Sequence, residues 1–245
     1  MDSLLRPPLC FAHRGARAEL PDNTLEAFER AVVLGATGLE SDVWATRDGV
    51  PVLLHDMKFW DERVWYRLRK RNITKRDIGE IPDSIPTVAK VLELAGNPAG
   101  SPLHVSLDIK DERRETIANL LDVVRVSNLP AHMVWLCSTS LDVLSAVREE
   151  FAEVRLVHST RIRHLKKGPE RHAAELAERD IQTANFHSSD WTPGLITLYH
   201  RFDRYCFSWD NQIDRVLREQ LTIGIDGVYS DHVARMMLAL KEVMR

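Results

Sequence analysis

Two acidic residues, Glu40 and Asp42, stand two positions apart in the apolar run GLESDVWA. Residues two apart in a β-strand share one face, so both carboxylates would point the same way. An exposed, solvated strand face is the alternative explanation, but the apolar neighbours disfavour it. Burial and mutual repulsion would penalise both charges unless a hard divalent cation, Mg²⁺ or Ca²⁺, neutralised them. The pair therefore predicts a metal site.

A third acid, Asp108, lies in the apolar run VSLDIKD and is followed on the same strand face by Lys110. Lys110 either neutralises Asp108 in a structural ion pair or binds a phosphate beside the metal. The spacing leaves both interpretations open.

The remaining reactive side chains are two histidines and an arginine. His13-Arg14-Gly15 ends the first apolar run, and His55 ends the run PVLLH. Two imidazoles with ordinary pKa values near 6.5 can supply a general acid and a general base. Arginine binds phosphate through paired hydrogen bonds, and glycine lets the backbone approach an anion closely. Together with the three acids, these residues indicate metal-assisted phosphoryl chemistry.

Asp48-Gly49 separates two strand-like runs and is a strong signal for a two-residue β-hairpin turn. Such a turn would pair Asp42 with His55. Directly paired residues share a face, so Glu40, Asp42 and His55 are expected to converge.

These candidates require an alternating α/β framework to position them. Short β-rich runs alternate with amphipathic helical runs along the chain, and Asn23 with Glu26 resembles the capping box at a helix start. Eight strand–helix units in 245 residues match the size of a TIM barrel, whose active sites lie where the strands end. We predict a (β/α)8 barrel in one domain, residues 1–245, with a short basic insertion at 57–85 after the hairpin.

Composition excludes several function classes. Hydrophobic residues make up 44% and charged residues 28%, and the net charge is −3, which disfavours nucleic-acid binding. The sequence contains no apolar run of transmembrane length, and MDSLLRPPLC does not resemble a secretory signal. Cys10, Cys137 and Cys206 lie far apart in apolar runs and are expected to be reduced, buried thiols. A cytoplasmic protein is expected.

The ordered motifs of the first third of the chain resemble a known family. FAHRGARAELPDNTLEAFERAVVLGATGLESDVWATRDGVPVLLHD is similar to the opening block of the glycerophosphodiester phosphodiesterases, which reads H-R-G, P-E-N-T, E-x-D-V, T-x-D-G and H-D. The resemblance continues through IPTVAKVLELA, LHVSLDIK and SWDNQIDRVLREQLTIGIDGVYSD, from about Phe11 to Asp231. It implies a TIM barrel that hydrolyses glycerophosphodiesters to glycerol 3-phosphate and an alcohol.

The resemblance also implies a role for each candidate. The acid/base pair would be His13 and His55. The phosphate would be held by Arg14 and Lys110, and Trp209 would line the mouth of the site, with His187 peripheral or structural. One divalent cation, Mg²⁺ or Ca²⁺, would be bound by Glu40, Asp42 and Asp108.

Asp108 departs from the family pattern, which has Glu at that position, although the more distant sphingomyelinase-D-like phospholipases have Asp. A lysophospholipase D and a catalytically silent phosphoester-binding protein are the alternative functions.

The segment 57–85 lacks the D-R-T-T that normally follows H-D in the family. From Arg63 to Arg76 it contains seven basic residues and no acid. The spacing of Trp60, Val64 and Leu68 predicts a short helix with that face on the barrel. The segment is expected to be either a packed lid with a solvated basic side or a rim that attracts anionic phosphodiesters or a lipid surface.

Overall fold

A computed structural model describes residues 2–60, 70–96 and 100–244. The strands, in chain order, are β1 Leu9–His13, β2 Gly38–Ala45, β3 Pro51–Leu53, β4 Lys58–Trp60, β5 Lys70–Asn72, β6 His104–Ile109, β7 Val134–Ser138, β8 Arg155–Thr160, β9 Thr183–His187, β10 Tyr205–Trp209 and β11 Gly227–Ser230. The helices are α1 Leu25–Val33, α2 Val88–Gly96, α3 Arg114–Val126, α4 Leu141–Glu150, α5 Gly168–Glu178, α6 Pro193–Arg201, α7 Asp214–Ile223 and α8 Val233–Val243.

Eight of these strands form a closed parallel barrel. Its order is β1, β2, β6, β7, β8, β9, β10, β11 and back to β1, and a helix follows each strand along the chain. The predicted (β/α)8 barrel is therefore confirmed. In the described ranges, none of the helices combines the length and apolar character required to cross a bilayer.

Two apolar clusters hold the barrel together. The larger cluster lies between the strands and the outer helices and includes Cys10 and Cys206. The smaller one fills the barrel, where the Phe11 ring stacks on Tyr229 at 4.8 Å between centroids. Gly38 makes room for this ring, because a Cβ there would lie 2.5 Å from Phe11 Cδ1. All three cysteines are buried and free, as predicted.

The β2–β3 hairpin has a different register from the predicted one. Val43 pairs with Leu53, and Leu54 N–H donates to the Asp42 carbonyl at 3.0 Å, so the two-residue turn that would pair Asp42 with His55 is wrong by one residue. The turn has three residues, because Thr46 N–H donates to the Val50 carbonyl at 3.1 Å and Gly49 adopts a φ of 83°. His55 follows the end of β3.

The insertion after the hairpin contains an antiparallel pair, β4 with β5. Trp60 belongs to β4 and is 52% exposed, so the prediction of a helix with Trp60 packed on the barrel is wrong for this residue; Val64 and Leu68 lie outside the described residues. Phe59 instead faces inward, because neighbouring residues of a strand point to opposite faces. Arg47 in the hairpin turn anchors the segment by hydrogen bonding to Asp77 at 2.8 Å.

Candidate active site

The parallel ladders bring the predicted charged residues side by side. His13 at the end of β1 pairs in register with Glu40, and Asp42 pairs with Asp108 on β6. These side chains line a cavity of about 410 Å³ at the carboxyl end of the barrel. Its lining includes seven of the eight predicted site residues, namely His13, Arg14, Glu40, Asp42, Asp108, Lys110 and Trp209.

A strained backbone turn aims Arg14 into this cavity. Arg14 has a φ of 56°, a left-handed conformation that is uncommon for residues other than glycine. Its N–H donates to the Glu40 carbonyl at 2.9 Å, which ties the turn to β2. The next residue, Gly15, has a φ of 82° and packs so closely on α1 that a Cβ would lie 2.7 Å from the Ala27 carbonyl carbon. This backbone therefore requires the glycine of the H-R-G sequence.

The P-D-N-T loop supports the same turn from outside. Asn23 N–H donates to the Arg14 carbonyl at 3.1 Å, and the buried Asn23 side chain accepts from Ser41 Oγ at 2.5 Å. The predicted helix start at Asn23 is wrong by one residue, because the Thr24 side chain caps α1 and accepts from Ala27 N at 3.2 Å. Asn23 has a φ of 55° and serves the turn instead.

Asp42 is the most enclosed carboxylate of the site, with its side chain 4% exposed. Arg14 Nε lies 3.0 Å from Asp42 Oδ2, and Lys110 Nζ lies 3.2 Å from Asp42 Oδ1. The approach of Arg14 is too poorly aligned for a hydrogen bond, so Arg14 Nε and Asp42 Oδ2 are both buried without a hydrogen-bond partner. A buried carboxylate oxygen without a donor is costly unless a cation reaches it.

Asp108 and Lys110 form a close pair, with 2.5 Å between Asp108 Oδ2 and Lys110 Nζ. Burial nevertheless raises the pKa of Asp108 above its usual value, and Asp42 adds to the rise against the opposing charge of Lys110. Burial lowers the pKa of Lys110, but the carboxylates of Asp108 and Asp42 raise it by more than burial lowers it. The net pKa is raised, and the amine stays charged. Asp108 thus pairs with Lys110 and also lines the cavity.

Glu40 and His13 complete the charged side. Burial raises the pKa of Glu40 to about 7, with His13 and Arg14 opposing the rise and Asp42 and Asp108 adding to it. Burial lowers the pKa of His13, but two contacts outweigh this effect and the pKa is raised. The larger contribution comes from the charge of Glu40, whose Oε2 lies 3.8 Å from His13 Nε2, and the other comes from a hydrogen bond to Asp231.

Asp231 is a site residue that the sequence analysis did not single out. His13 Nδ1 lies 2.6 Å from Asp231 Oδ1, and this contact orients the imidazole so that Nε2 faces Glu40 and the cavity. Asp231 directly follows β11, at the same end of the barrel as the other acids. An acid directly after a barrel strand was the signal that could have identified it.

His55 lies apart from the other candidates. Its side chain is 49% exposed, its Nδ1 is 3.0 Å from Asp56 Oδ1, and it is absent from the residues that line the cavity in the described part of the chain. The one-residue register shift explains why the expected convergence with Glu40 and Asp42 does not occur. The catalytic role of His55 remains a prediction.

Trp209 lines the cavity from the strand end of β10, and His187 packs edge-on against its ring at 4.6 Å between centroids. His187 also contacts Asp210, with 3.1 Å between Nε2 and Oδ2, so it supports Trp209 from the side that faces away from the cavity.

A second group of potential metal ligands, His200, Cys206 and Asp226, lies where β11 begins, at the opposite end of the barrel. The Asp226 carboxylate is fully buried and accepts hydrogen bonds from Leu4 N–H at 2.6 Å and Cys206 N–H at 2.7 Å, and it contacts His200 Nε2 at 2.8 Å. Burial raises the pKa of the Cys206 thiol well above its usual value, so the thiol stays protonated. The protein donors already satisfy this carboxylate, which identifies the group as structural.

Solved structures with a similar fold include proteins named as phosphodiesterases. A Silicibacter pomeroyi protein assigned as a glycerophosphoryl diester phosphodiesterase superimposes with a TM-score of 0.85 at 21% identity, over 97% of this chain and 95% of the other. An Oleispira antarctica phosphodiesterase, solved with the product sn-glycerol-3-phosphate, superimposes with a TM-score of 0.79 at 20% identity, over 96% and 97% of the two chains.

Sequence relatives agree with the structural neighbours. The glycerophosphodiester phosphodiesterase of Bacillus altitudinis is 22% identical over 95% of this chain and 98% of its own length. Several local matches are higher in identity, such as 52% over 48 residues of the Caldanaerobacter subterraneus enzyme, and in three of them the chain spans a fifth or less of the relative's length. The model of the glycerophosphoryl diester phosphodiesterase family matches residues 13–235, nearly the whole chain, and the protein therefore belongs to that family.

Proposed function

We propose that the chain hydrolyses glycerophosphodiesters to glycerol 3-phosphate and an alcohol. The observation that carries this proposal is the convergence of Glu40, Asp42, Asp108, Arg14 and Lys110 on one cavity at the carboxyl ends of neighbouring barrel strands. Carboxylates beside paired cations suit a phosphate bridged to a metal ion. Membership in the family supports the same reaction.

The three carboxylates fit a divalent cation. Asp42 Oδ2 is a buried oxygen without a donor, and burial raises the pKa values of Glu40 and Asp108, so the cation-free arrangement is unfavourable for all three acids. Glu40, Asp42 and Asp108 would hold one Mg²⁺ or Ca²⁺ through oxygen atoms. When bound, the cation would neutralise charge that develops on the phosphate oxygens as the P–O bond breaks.

The cations of the site would position the phosphate. Arg14 and Lys110 are held by Asp42 and Asp108 at the cavity surface, and the Arg14 guanidinium presents several donors in a plane. In the reaction, the bond between phosphorus and the alcohol oxygen breaks and the alcohol leaves with a proton. Water supplies the new oxygen directly, or a neighbouring substrate hydroxyl first forms a cyclic phosphate that water then opens to glycerol 3-phosphate. His13 would move a proton at Nε2, because Asp231 holds its Nδ1.

His55 is proposed as the second proton-transfer group on the resemblance of its H-D motif to the family. Its half-exposed side chain must turn from Asp56 toward the cavity to act. We expect His13→Ala and His55→Ala each to lower kcat by at least about a hundredfold.

The experiment measures release of glycerol 3-phosphate from glycerophosphocholine and from lysophosphatidylcholine in parallel, with Mg²⁺, with Ca²⁺ and with chelator. His132→Ala is the matched control, because His132 is an exposed histidine that precedes β7. Turnover that chelator abolishes supports the proposal. Absence of turnover of both substrates with either metal would favour a phosphoester-binding protein.

Preference for lysophosphatidylcholine would instead identify a lysophospholipase D. Trp60 is exposed beside Lys70, whose Nζ lies 5.6 Å from the ring centroid, and this basic, aromatic edge belongs to the insertion that follows the β2–β3 hairpin. A lipid surface would be its natural partner.

A further inference from the structure

Asp210 is an acidic residue of the cavity lining that the proposed reaction does not use. It directly follows β10, which is four strands away from β6 in both directions around the barrel, so Asp210 and Asp108 lie on opposite sides of the cavity. The Asp210 side chain is 52% exposed, whereas the Asp42 side chain is 4% exposed. Asp210 therefore lies at the mouth of the cavity, away from the proposed metal site.

The hydrogen bonds of His187 leave Asp210 with its full negative charge. Ser189 N–H donates to His187 Nδ1 at 3.1 Å, and a ring nitrogen that accepts from a backbone N–H carries no proton. The ring proton is therefore on Nε2, 3.1 Å from Asp210 Oδ2, and the imidazole is neutral. A neutral donor binds the carboxylate without cancelling its charge.

Arg161, a cation near the same strand end, does not balance Asp210 either. Its guanidinium carbon lies 5.6 Å from the centroid of the Trp209 ring, and its Nε and Nη2 donate to the Asp190 carboxylate at 2.7 and 3.0 Å. This two-point pair couples the charges of Arg161 and Asp190 to each other. Within the described ranges, Asp210 is thus the acid of the cavity lining that contacts no cationic side chain.

The opposite side of the cavity is electrically balanced in the proposed complex. The negative charges of the three metal-binding carboxylates and of a phosphodiester equal the positive charges of a divalent cation, Arg14 and Lys110. Asp210 adds one negative charge that this set does not neutralise. A positive charge on the substrate itself would neutralise it.

We propose that Asp210 selects the charge of the leaving alcohol and favours an alcohol with an ammonium group over a neutral or acidic one. This inference rests on the proposed function and adds to it a selection among glycerophosphodiesters. Trp209 directly precedes Asp210 and lines the same cavity, so an ammonium group there meets an aromatic ring beside the carboxylate. An alkyl group of the same shape gains neither attraction, and an anionic alcohol is repelled.

A matched ligand pair tests the proposal without requiring turnover. Phosphocholine and 3,3-dimethylbutyl phosphate have the same phosphate and the same shape, and they differ in a positively charged nitrogen that replaces a neutral carbon. Calorimetric titration with Mg²⁺ gives the ratio of their dissociation constants. At low salt we expect phosphocholine to bind about fivefold more tightly, the scale of one exposed ion pair with a cation–π contact. The ratio should fall toward one in about 1 M salt, which screens exposed charges.

The variant Asp210→Asn removes the charge and keeps the shape of the side chain, and asparagine tolerates the left-handed φ of 63° at this position. It is expected to lower the ratio to about twofold or less, the contribution of the aromatic ring, and to abolish its salt dependence. The matched control is Asp203→Asn, because Asp203 is an exposed aspartate with a φ of 56° that precedes β10 at the other end of the barrel. The control should preserve the ratio, and circular dichroism verifies that both variants are folded.

A ratio near one in the unmodified protein would overturn the proposal, as would failure of phosphocholine to bind or an unchanged ratio in folded Asp210→Asn. The hydrolase assignment fails differently. If the protein turns over no glycerophosphodiester but the ratio behaves as expected, the role of Asp210 stands and the proposed reaction is wrong. Turnover of glycerophosphocholine together with a ratio near one would support the reaction and refute the role of Asp210.

Discussion

The substitution Asp108→Ala distinguishes between two roles of Asp108, a metal ligand and a structural partner of Lys110. Lys110 Nζ lies 2.5 Å from Asp108 Oδ2 and 3.2 Å from Asp42 Oδ1, so Lys110 keeps a partner after the substitution. Burial and the neighbouring Asp42 raise the pKa of Asp108 despite Lys110. A carboxyl whose pKa is higher in the folded state than in the unfolded state destabilises the folded protein wherever it is ionised.

The sign of the stability change follows from this shift. At pH 8 without metal, Asp108→Ala is expected to leave the Tm unchanged or to raise it. A structural ion pair of this kind would instead contribute about 1 kcal/mol, and its loss would lower the Tm by roughly 2–4 °C in a protein of this size. Thermal unfolding with chelator present distinguishes the two signs.

Metal affinity, unlike the Tm, should fall in Asp108→Ala. Loss of one of three carboxylates is expected to weaken Mg²⁺ or Ca²⁺ binding by roughly ten- to a hundredfold, the scale seen for disturbed metal environments. Asp108→Asn retains an acceptor for Lys110 but no anionic ligand, so it should also bind weakly, whereas Asp108→Glu should recover part of the affinity with a changed metal preference. If calorimetry gives unchanged metal affinity in Asp108→Ala together with a lowered Tm, the reasoning is refuted and Asp108 is the partner of Lys110.

Three further outcomes are expected. Asp231→Asn should lower kcat roughly a hundredfold and lower the pKa of His13, because the carboxylate that holds Nδ1 is lost; an unchanged NMR titration of His13 would count against this role. Since burial raises the pKa of Glu40 to about 7 in the metal-free protein, a cation must displace a proton near and below that pH, so its affinity should fall by up to about tenfold per pH unit as the pH drops from 7. Titrations in buffers of different ionisation enthalpy measure that proton, and equal heats would contradict it. Asp226→Asn should cost about 2–4 kcal/mol of folding free energy through its buried contacts with His200 and Leu4 while leaving metal stoichiometry unchanged; a lost metal equivalent would reveal a second ion.

The barrel was predictable because each strand of its inner ring is short, apolar and bounded by a helix signal. The apolar runs LCFAH, YCFSW and GVYS are examples, and in the structure they form β1, β10 and β11. Once the strands are parallel, their carboxyl ends meet at one rim, so the convergence of Glu40, Asp42 and Asp108 follows from their positions in the runs. These residues could be brought together without knowledge of long-range contacts.

The hairpin register was not predictable from the same information. Asp-Gly suits a two-residue turn and also a three-residue loop that ends in a left-handed glycine. Thr46 decides between them, because its N–H donates to the Val50 carbonyl at 3.1 Å and its hydroxyl donates to Asp48 at 2.6 Å. One residue of difference removes His55 from the face of Asp42, since side chains alternate along a strand.

Asp231 was missed for another reason. Its position directly after β11 places it at the rim of the barrel, but its partner His13 ends β1, at the other end of the chain. Local spacing places residues on strands, but the pairing of β1 with β11 depends on closure of the barrel.

The geometry of the acids also makes metal and phosphate binding interdependent. The ladder pairs Asp42 with Asp108 on hydrogen-bonded neighbouring strands, so the two carboxylates cannot move apart to relieve their repulsion without breaking that ladder. Arg14 and Lys110 relieve it in the free protein, yet these are the side chains proposed to hold the phosphate. When Arg14 and Lys110 turn toward a phosphate, the repulsion between the acids is no longer neutralised, and the acids bind a cation more strongly. Glycerol 3-phosphate should therefore bind roughly 5- to 150-fold more tightly with saturating Mg²⁺ than with chelator, the usual range of coupling between two ligands, and Mg²⁺ affinity must rise by the same factor when glycerol 3-phosphate is present. Equal affinities in the two calorimetric titrations would show that the acids and the phosphate do not compete for Arg14 and Lys110.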